Sequence, residues 1–237
     1  MKLILFTPLL LLLLFGCEKE KISELPDNIY ILKPIANIVD SLRVIVPESR
    51  NQFLKHPELF ADATQKNIVL TKESNVYVTF VNSVTSAKNS LCWYTYTVSQ
   101  PLTKSGDING NLLFPNITKV YDGGVLEPGY TLQLGAEKFP VGTIIGFFLV
   151  VNGWKNGTID YSKQTHYTNY NFNVGGFQQH VLFKNTYSQS IILGFEDGSI
   201  ANNLNCDKDF NDVLFSVSDN QEGFEATSFD LTNIFVK

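Results

Sequence analysis

Near the carboxyl end of the chain, Asp207-Lys208-Asp209-Phe210-Asn211-Asp212 runs directly into Val213-Leu214-Phe215, and Gly194-Phe195-Glu196-Asp197 closes the apolar run before it. Glu196, Asp197, Asp207, Asp209, Asn211 and Asp212 thus place six oxygen-bearing side chains within seventeen residues. Carboxylates so close together repel one another unless positive charge sits among them. A hard divalent cation that takes roughly six to eight oxygens is the simplest candidate, and the expectation is calcium. Asp207, Asp209 and Asn211 recur at every second residue, which lets a tight loop wrap alternate side chains around one ion, as the first half of an EF-hand does. The second half of that motif is absent. Asp212 stands where an EF-hand carries Gly, and Ser218 where it carries a bidentate Glu. The alternative is that these Asp and Asn residues only cap turns through Asx hydrogen bonds.

Val213 to Val217 has strand character, so the acidic loop is expected to join two strands of a sheet. Other strand candidates carry period-two alternation and many β-branched or aromatic residues: Asn75–Val81, Leu91–Val98, Tyr130–Leu134, Thr143–Val151, Gln178–Phe183, Ser190–Phe195 and Ser228–Val236. Thr143–Val151 is apolar on both faces and reads as a central strand covered on each side. Turn signals separate the strands, among them Asp122-Gly123-Gly124, Asn152-Gly153 and Gly175-Gly176. The pattern predicts an all-β protein, an antiparallel β-sandwich of jelly-roll type over residues 65–237. Residues 31–64 form a separate N-terminal helical and loop segment: Ile35, Ile38, Val39, Leu42 and Ile45 fall at helical spacing, and Pro47 ends the pattern.

The start of the chain has the form of a bacterial lipoprotein signal over residues 1–16, with Lys2 as its positive end, Leu3 to Phe15 as its apolar core, and Leu14-Phe15-Gly16-Cys17 as its cleavage box. That run is too short to span a bilayer comfortably, since a spanning helix needs about 20 residues. Cys17 would become the acylated N-terminus, and residues 17–30 a flexible polar tether. The expected address is the cell envelope, lipid-anchored and outer-membrane. Formal net charge is −5; removing residues 1–16 takes away one positive charge, Lys2, and leaves −6. An acidic chain is a poor nucleic-acid binder, because phosphates demand a basic face. Besides Cys17 there are two cysteines, Cys92 and Cys206, and a bridge between them would staple the acidic loop to an early strand in a compartment where disulfides persist.

Several blocks in order, Leu91-Cys92-Trp93-Tyr94, Leu126-Glu127-Pro128-Gly129-Tyr130, Gly142-Thr143-Ile144-Ile145-Gly146-Phe147, Asn152-Gly153-Trp154, Gln179-His180, Gly194 to Asp197 and Asp207 to Phe215, resemble the domain of unknown function found in LruC-type and other secreted or surface bacterial proteins. The resemblance covers roughly residues 65–220, although Cys92 stands where that family's block would carry Gly. It implies an extracellular β-rich module with a calcium-dependent role, no established catalysis, and the six acidic-motif residues as its metal ligands.

The sequence contains no Gly-x-Ser-x-Gly elbow, His-Glu-x-x-His helix or phosphate-cradling loop. No catalytic residue is expected. His180 could point toward the acidic loop, though a lone strand histidine is more often structural. The function expected is surface binding, adhesion or scaffolding, with a surface protein or a glycan as partner. The alternative is a glycan-binding or glycoside-hydrolysing sandwich that uses the same carboxylates, since two carboxyl groups about 5–10 Å apart suffice for that chemistry. Trp154, Tyr167 and Tyr170 lie in what reads as loop and would offer a ligand platform, unless they close over the sandwich as a satellite core.

Overall fold

A computed structural model of the protein describes residues 21–29, 31–203 and 206–237. The signal segment 1–16 and Cys17 lie outside the described residues. In chain order the strands are β1 (Ile31–Leu32), β2 (Ile68–Val69), β3 (Tyr77–Ser83), β4 (Ser90–Thr97), β5 (Asn111–Phe114), β6 (Tyr130–Gln133), β7 (Thr143–Val150), β8 (Trp154–Lys155), β9 (Thr158–Ile159), β10 (Thr165–Tyr167), β11 (His180–Lys184), β12 (Ile191–Phe195), β13 (Val213–Ser218) and β14 (Phe235–Val236). Two α-helices, α1 (Ala36–Ile45) and α2 (Gln52–Lys55), and a 3-10 turn at Pro57–Phe60 precede β2.

Two sheets build the sandwich, and β8 and β9 pair separately as a two-stranded hairpin. One has the order β1-β6-β3-β13-β12-β11-β14; the other has the order β10-β7-β4-β5, with β2 also paired to β7. Pairing is antiparallel except for β11 with β14. The chain passes from one sheet to the other between β3 and β4, between β5 and β6 and again between β6 and β7, so each sheet is assembled from distant segments. This is the expected β-sandwich. Alternation explains its core: Val78, Phe80, Leu193, Phe195, Phe215 and Val217 from the first sheet meet Leu91, Trp93, Ile145, Phe147 and Leu149 from the second.

The intervening residues of each sheet face outward, and both outer faces are covered. On the five-stranded sheet, Cys92, Tyr94, Phe148 and Val150 pack with Leu102, Ile108, Leu112 and Tyr167. This covering, with the core beneath, buries every residue of β7, the central strand expected from its two-sided apolar run. On the seven-stranded sheet, Val181, Phe183, Ile192 and Leu214 receive Ile38, Leu42 and Ile45 of α1 together with Leu59 and Phe210. The helix has the expected heptad-like spacing and ends at Val46, ahead of Pro47. Residues 31–64 therefore share a hydrophobic cluster with the sandwich and form its outer layer on that side.

One expected strand is mostly absent. Within Ser228–Val236 only Phe235–Val236 pairs as strand, while Asp230 Oδ1 accepts from Thr232 N at 2.9 Å and turns the chain. Phe229, Leu231 and Ile234 still reach the core, which is why the stretch looked strand-like. Short strands β2, β5 and β10 carry too few residues for periodicity to mark them.

Candidate metal centre

β12 and β13 are antiparallel neighbours with Phe195 opposite Val213, so residues 196–212 are a long connection that leaves one strand and returns to the adjacent one. Glu196 and Asp197 stand at its exit, and Asp207 to Asp212 stand at its return. Gly194 makes the close return feasible, because a Cβ there would lie 2.3 Å from the carbonyl oxygen of Phe210. The loop itself alternates in handedness, with Lys208 at φ 66° and Phe210 at φ 60°. Asp209 N donates to Asp207 Oδ1 at 3.3 Å and Asn211 N to Asp209 Oδ1 at 3.0 Å, the Asx bonds expected of such residues. A left-handed Phe is uncommon. Here its fully buried ring repays the strain by packing against Phe53 and Phe60, with centroids 5.6 and 5.1 Å away.

The N-terminal segment is stitched to this loop. Ser49 N donates to Asp209 Oδ2 at 2.7 Å, Gln52 N to Lys208 O at 2.8 Å, and Asn211 Nδ2 to Val46 O at 3.2 Å. The same contact brings Glu48 beside the acidic box. Ligand oxygens of Glu48, Asp207 and Asp209 lie within 4.8 Å of one another.

Glu196 is enclosed, at 1% exposure, and its Oε2 has no hydrogen-bond partner among the described residues. Burial, then repulsion from Asp207, Asp209 and Asp197, pushes its carboxyl up to about 7, against a smaller opposing effect of the Cys206 thiol. Burial likewise pushes Asp209 up to about 7, although the amides of Asn211 and Ser49 favour its ionised form. Asp212 goes up to about 10, from burial first and then the neighbouring charges of Asp197 and Glu196. Asn211 Oδ1 is a second buried oxygen without a partner. No ion pair among the described residues involves any of these groups.

All six expected ligands therefore gather at one corner, but they do not converge as one cage. Asp207 and Asp209 join Glu48, a residue that sequence spacing missed because it lies far upstream on an exposed bend. Asp197 faces the β3–β4 connection, where Thr85 Oγ1 and Asn89 Nδ2 donate to its Oδ2 at 2.7 and 2.8 Å. Its own N donates to Asp212 Oδ2 at 2.8 Å. Glu196 is charge-coupled to both groups. Glu48, Asp207 and Asp209 could hold a hard cation through oxygen, and the enclosed Glu196 carboxyl repels Asp207 and Asp209 from nearby.

Other expectations are corrected. Cys92 and Cys206 are both free: Cys92 is buried on the outer face of the five-stranded sheet, and Cys206 lies by Glu196 against the cluster on the other sheet. His180 faces away from the loop and its Nε2 donates to Lys66 O at 3.0 Å; burial pushes it down to about 3. It is His166 that approaches, with Nε2 3.2 Å from the backbone oxygen of Asp197. Trp154 is buried in the β8–β9 hairpin, and Tyr167 lies on β10 with Phe148 and Phe172 at 5.5 and 6.0 Å. Tyr170 is half-buried in the 3-10 turn that follows. The satellite-core alternative thus describes these aromatics better than an exposed platform does.

By its fold the molecule is an all-β sandwich with a helical outer layer and a long acidic connection between neighbouring strands. Residues 139–220, from just before β7 to just after β13, match the family described as Domain of unknown function (DUF4114). The matched segment contains Glu196 through Asp212 and leaves out Glu48. No curated protein matches the chain, and no solved structure does.

Proposed function

We propose that the protein is a lipid-anchored cell-envelope module whose acidic connection binds calcium, and that it acts by surface binding, adhesion or scaffolding. The single observation that carries the calcium reading is Glu196: an enclosed carboxylate with an unpartnered oxygen, beside two aspartates whose oxygens already gather with Glu48. A buried charged group without a partner is costly. A divalent cation would supply the missing attraction and, through Glu48, hold the N-terminal layer to the sandwich. The match over residues 139–220 is to a domain of unknown function, and the surface-protein reading rests on the sequence blocks that resemble LruC-type proteins. The lipid anchor rests on Leu14-Phe15-Gly16-Cys17.

Glu196 also bears on catalysis. A glycosidase acid must touch the glycosidic oxygen, and a carboxyl exposed by only 1% is badly placed to do so. This supports a binding role over hydrolysis.

The test is thermal unfolding of the mature chain in EDTA and in calcium. A ligand at about 100 times its Kd adds about 2.7 kcal/mol, and for a domain of this size each kcal/mol moves Tm by about 2–4 °C. An upward shift of about 5–10 °C in calcium, with calcium found by elemental analysis, is expected. Identical melting in both buffers, with no metal recovered, would retire the calcium reading. Cys17→Ser is expected to move the full-length precursor from the membrane fraction to the soluble one.

A further inference from the structure

Beside Asp197 and Asp212, at the end of the sandwich where four connections meet, lies a cleft of about 600 Å³. The β3–β4 turn supplies Thr85 and Ser86, the residues after β7 supply Asn152, the approach to β10 supplies Gln164, and the long acidic connection supplies Asp197, Asn202 and Asp212. We propose that this cleft binds a neutral sugar, through hydroxyl pairs donated to the two aspartates and accepted from the surrounding amides.

The chemistry of the lining selects the ligand class. Its volume falls in the range of small-molecule sites, about 300–1,000 Å³. No lysine, arginine or aromatic side chain lines it. An anionic ligand would meet two acidic side chains and no counter-charge. An apolar ligand would strip water from those polar groups and return nothing. A polyol offers both donors and acceptors. Asp197 Oδ2 is held by Thr85 and Asn89, and Asp212 Oδ2 by Asp197 N, so in each the other oxygen has no protein donor among the described residues. Asn152 Oδ1 accepts from Lys88 N at 3.1 Å, which orients its amide N–H group as a donor. Gln164 and Asn202 are exposed, with side-chain amides that make no protein hydrogen bond among the described residues. The floor is firm: Ala87 N donates to Thr85 Oγ1 at 3.0 Å, and Thr85 in turn donates to Asp197.

The inference deepens the surface-binding reading and rests on it, while the calcium reading stands separately on Glu48, Glu196, Asp207 and Asp209. Saturation-transfer NMR on the calcium-loaded chain, with a panel of neutral sugars (glucose, galactose, mannose, N-acetylglucosamine, maltose and lactose) and glucuronate as the anionic control, tests it. At least one neutral sugar is expected to give saturation transfer, with none from glucuronate. Gln164→Ala combined with Asn202→Ala is expected to weaken that binding about tenfold and to leave the chelation-dependent Tm shift intact. Silence from the whole panel overturns the proposal, and so does equal binding by the double variant, which would place the sugar elsewhere. A lost chelation shift with sugar binding preserved would instead count against the calcium reading alone.

Discussion

Lys33 and Glu196 are both almost wholly enclosed, at 2% and 1% exposure, yet the fold treats them in opposite ways. Lys33 Nζ donates to Ser218 Oγ, Asn220 O and Gly223 O at 3.1, 2.8 and 2.7 Å, and lies over the rings of Phe224 and Tyr77 at 5.1 and 5.7 Å. All three ammonium protons find oxygen. Glu196 Oε2 finds no donor among the described residues, and Asp207, Asp209 and Asp197 act on it by repulsion. A buried cation has been given a complete coordination by the chain itself, whereas the acidic cluster has amide donors on Asp207, Asp209 and Asp212 but no opposite charge, and Glu196 Oε2 has no donor among the described residues. Since buried polar groups in native proteins are as a rule satisfied, the contrast points to a positive partner from outside the chain for Glu196.

The largest expected effect comes from unseating the acidic side alone. Phe210→Ala removes the ring that anchors the left-handed loop between Phe53 and Phe60, and large-to-small changes of this kind cost about 3–5 kcal/mol. Urea unfolding should show that loss, and the response to calcium should weaken with it. A cost below about 1 kcal/mol would mean that the ring is not what seats the loop.

pH separates the two centres by sign. Glu196 and Asp209 have folded pKa values raised to about 7, so in EDTA they favour the fold when protonated, and that contribution is lost as pH rises from about 4.5 through about 7. For Glu196 alone the loss is at most ~3.5 kcal/mol, at ~1.4 kcal/mol per pKa unit. Calcium should flatten this decline. Lys33 is lowered to about 8, chiefly by burial, so its contribution grows as pH rises from about 8 toward 10.5. Chemical denaturation at pH 5, 7 and 9.5 with EDTA should thus show a fall that continues to pH 9.5, because Asp212, raised to about 10, goes on losing its contribution there and the gain from Lys33 only slows the decline. A stability that climbs steadily from pH 5 to 7 in EDTA would contradict the buried-carboxylate account.

The acidic box was legible because its residues are contiguous and alternate, and the sandwich because most of its strands are long enough to show period two. What stayed hidden depends on tertiary contact. Glu48 is one exposed acid after Pro47, and only the packing of α1 on the seven-stranded sheet carries it to Asp209. The thiols of Cys92 and Cys206 share a compartment in principle, but period-two alternation puts Cys92 on the outer face of one sheet while Cys206 follows the other. Trp154 looked exposed because its neighbours Asn152-Gly153 and Asn156-Gly157 signal turns, and the hairpin they form folds the indole inward. Lys33 gave no signal at all, because a lysine among apolar residues is usually solvated and its three acceptors lie more than 180 residues away.

Lys33→Met tests the satisfied side of the contrast. The methionine fills similar volume but leaves Gly223 O without its donor and Asn220 O with Ser218 Oγ alone, which should cost about 1–3 kcal/mol in urea unfolding. Calcium should stabilise this variant as much as it does the parent. A variant that no longer responds to calcium would show that the two centres are coupled through the first sheet, and the contrast drawn between them would fail.

Glu48→Gln is the mildest change and the most discriminating. Glu48 is exposed, so neutralising it should leave stability in EDTA within about 0.5 kcal/mol of the parent, as surface substitutions usually do. If Glu48 is a ligand, losing its charge should raise the calcium concentration at half-saturation by about tenfold in an isothermal titration, since one good ionic contact is worth about 1.4 kcal/mol. An unchanged titration would confine the cation to Glu196, Asp207 and Asp209 and would free the N-terminal layer from any metal-dependent clamp. The two readings then part in limited proteolysis: a clamped layer should be cut faster between α1 and α2 when calcium is withdrawn, and an unclamped one at the same rate with or without it.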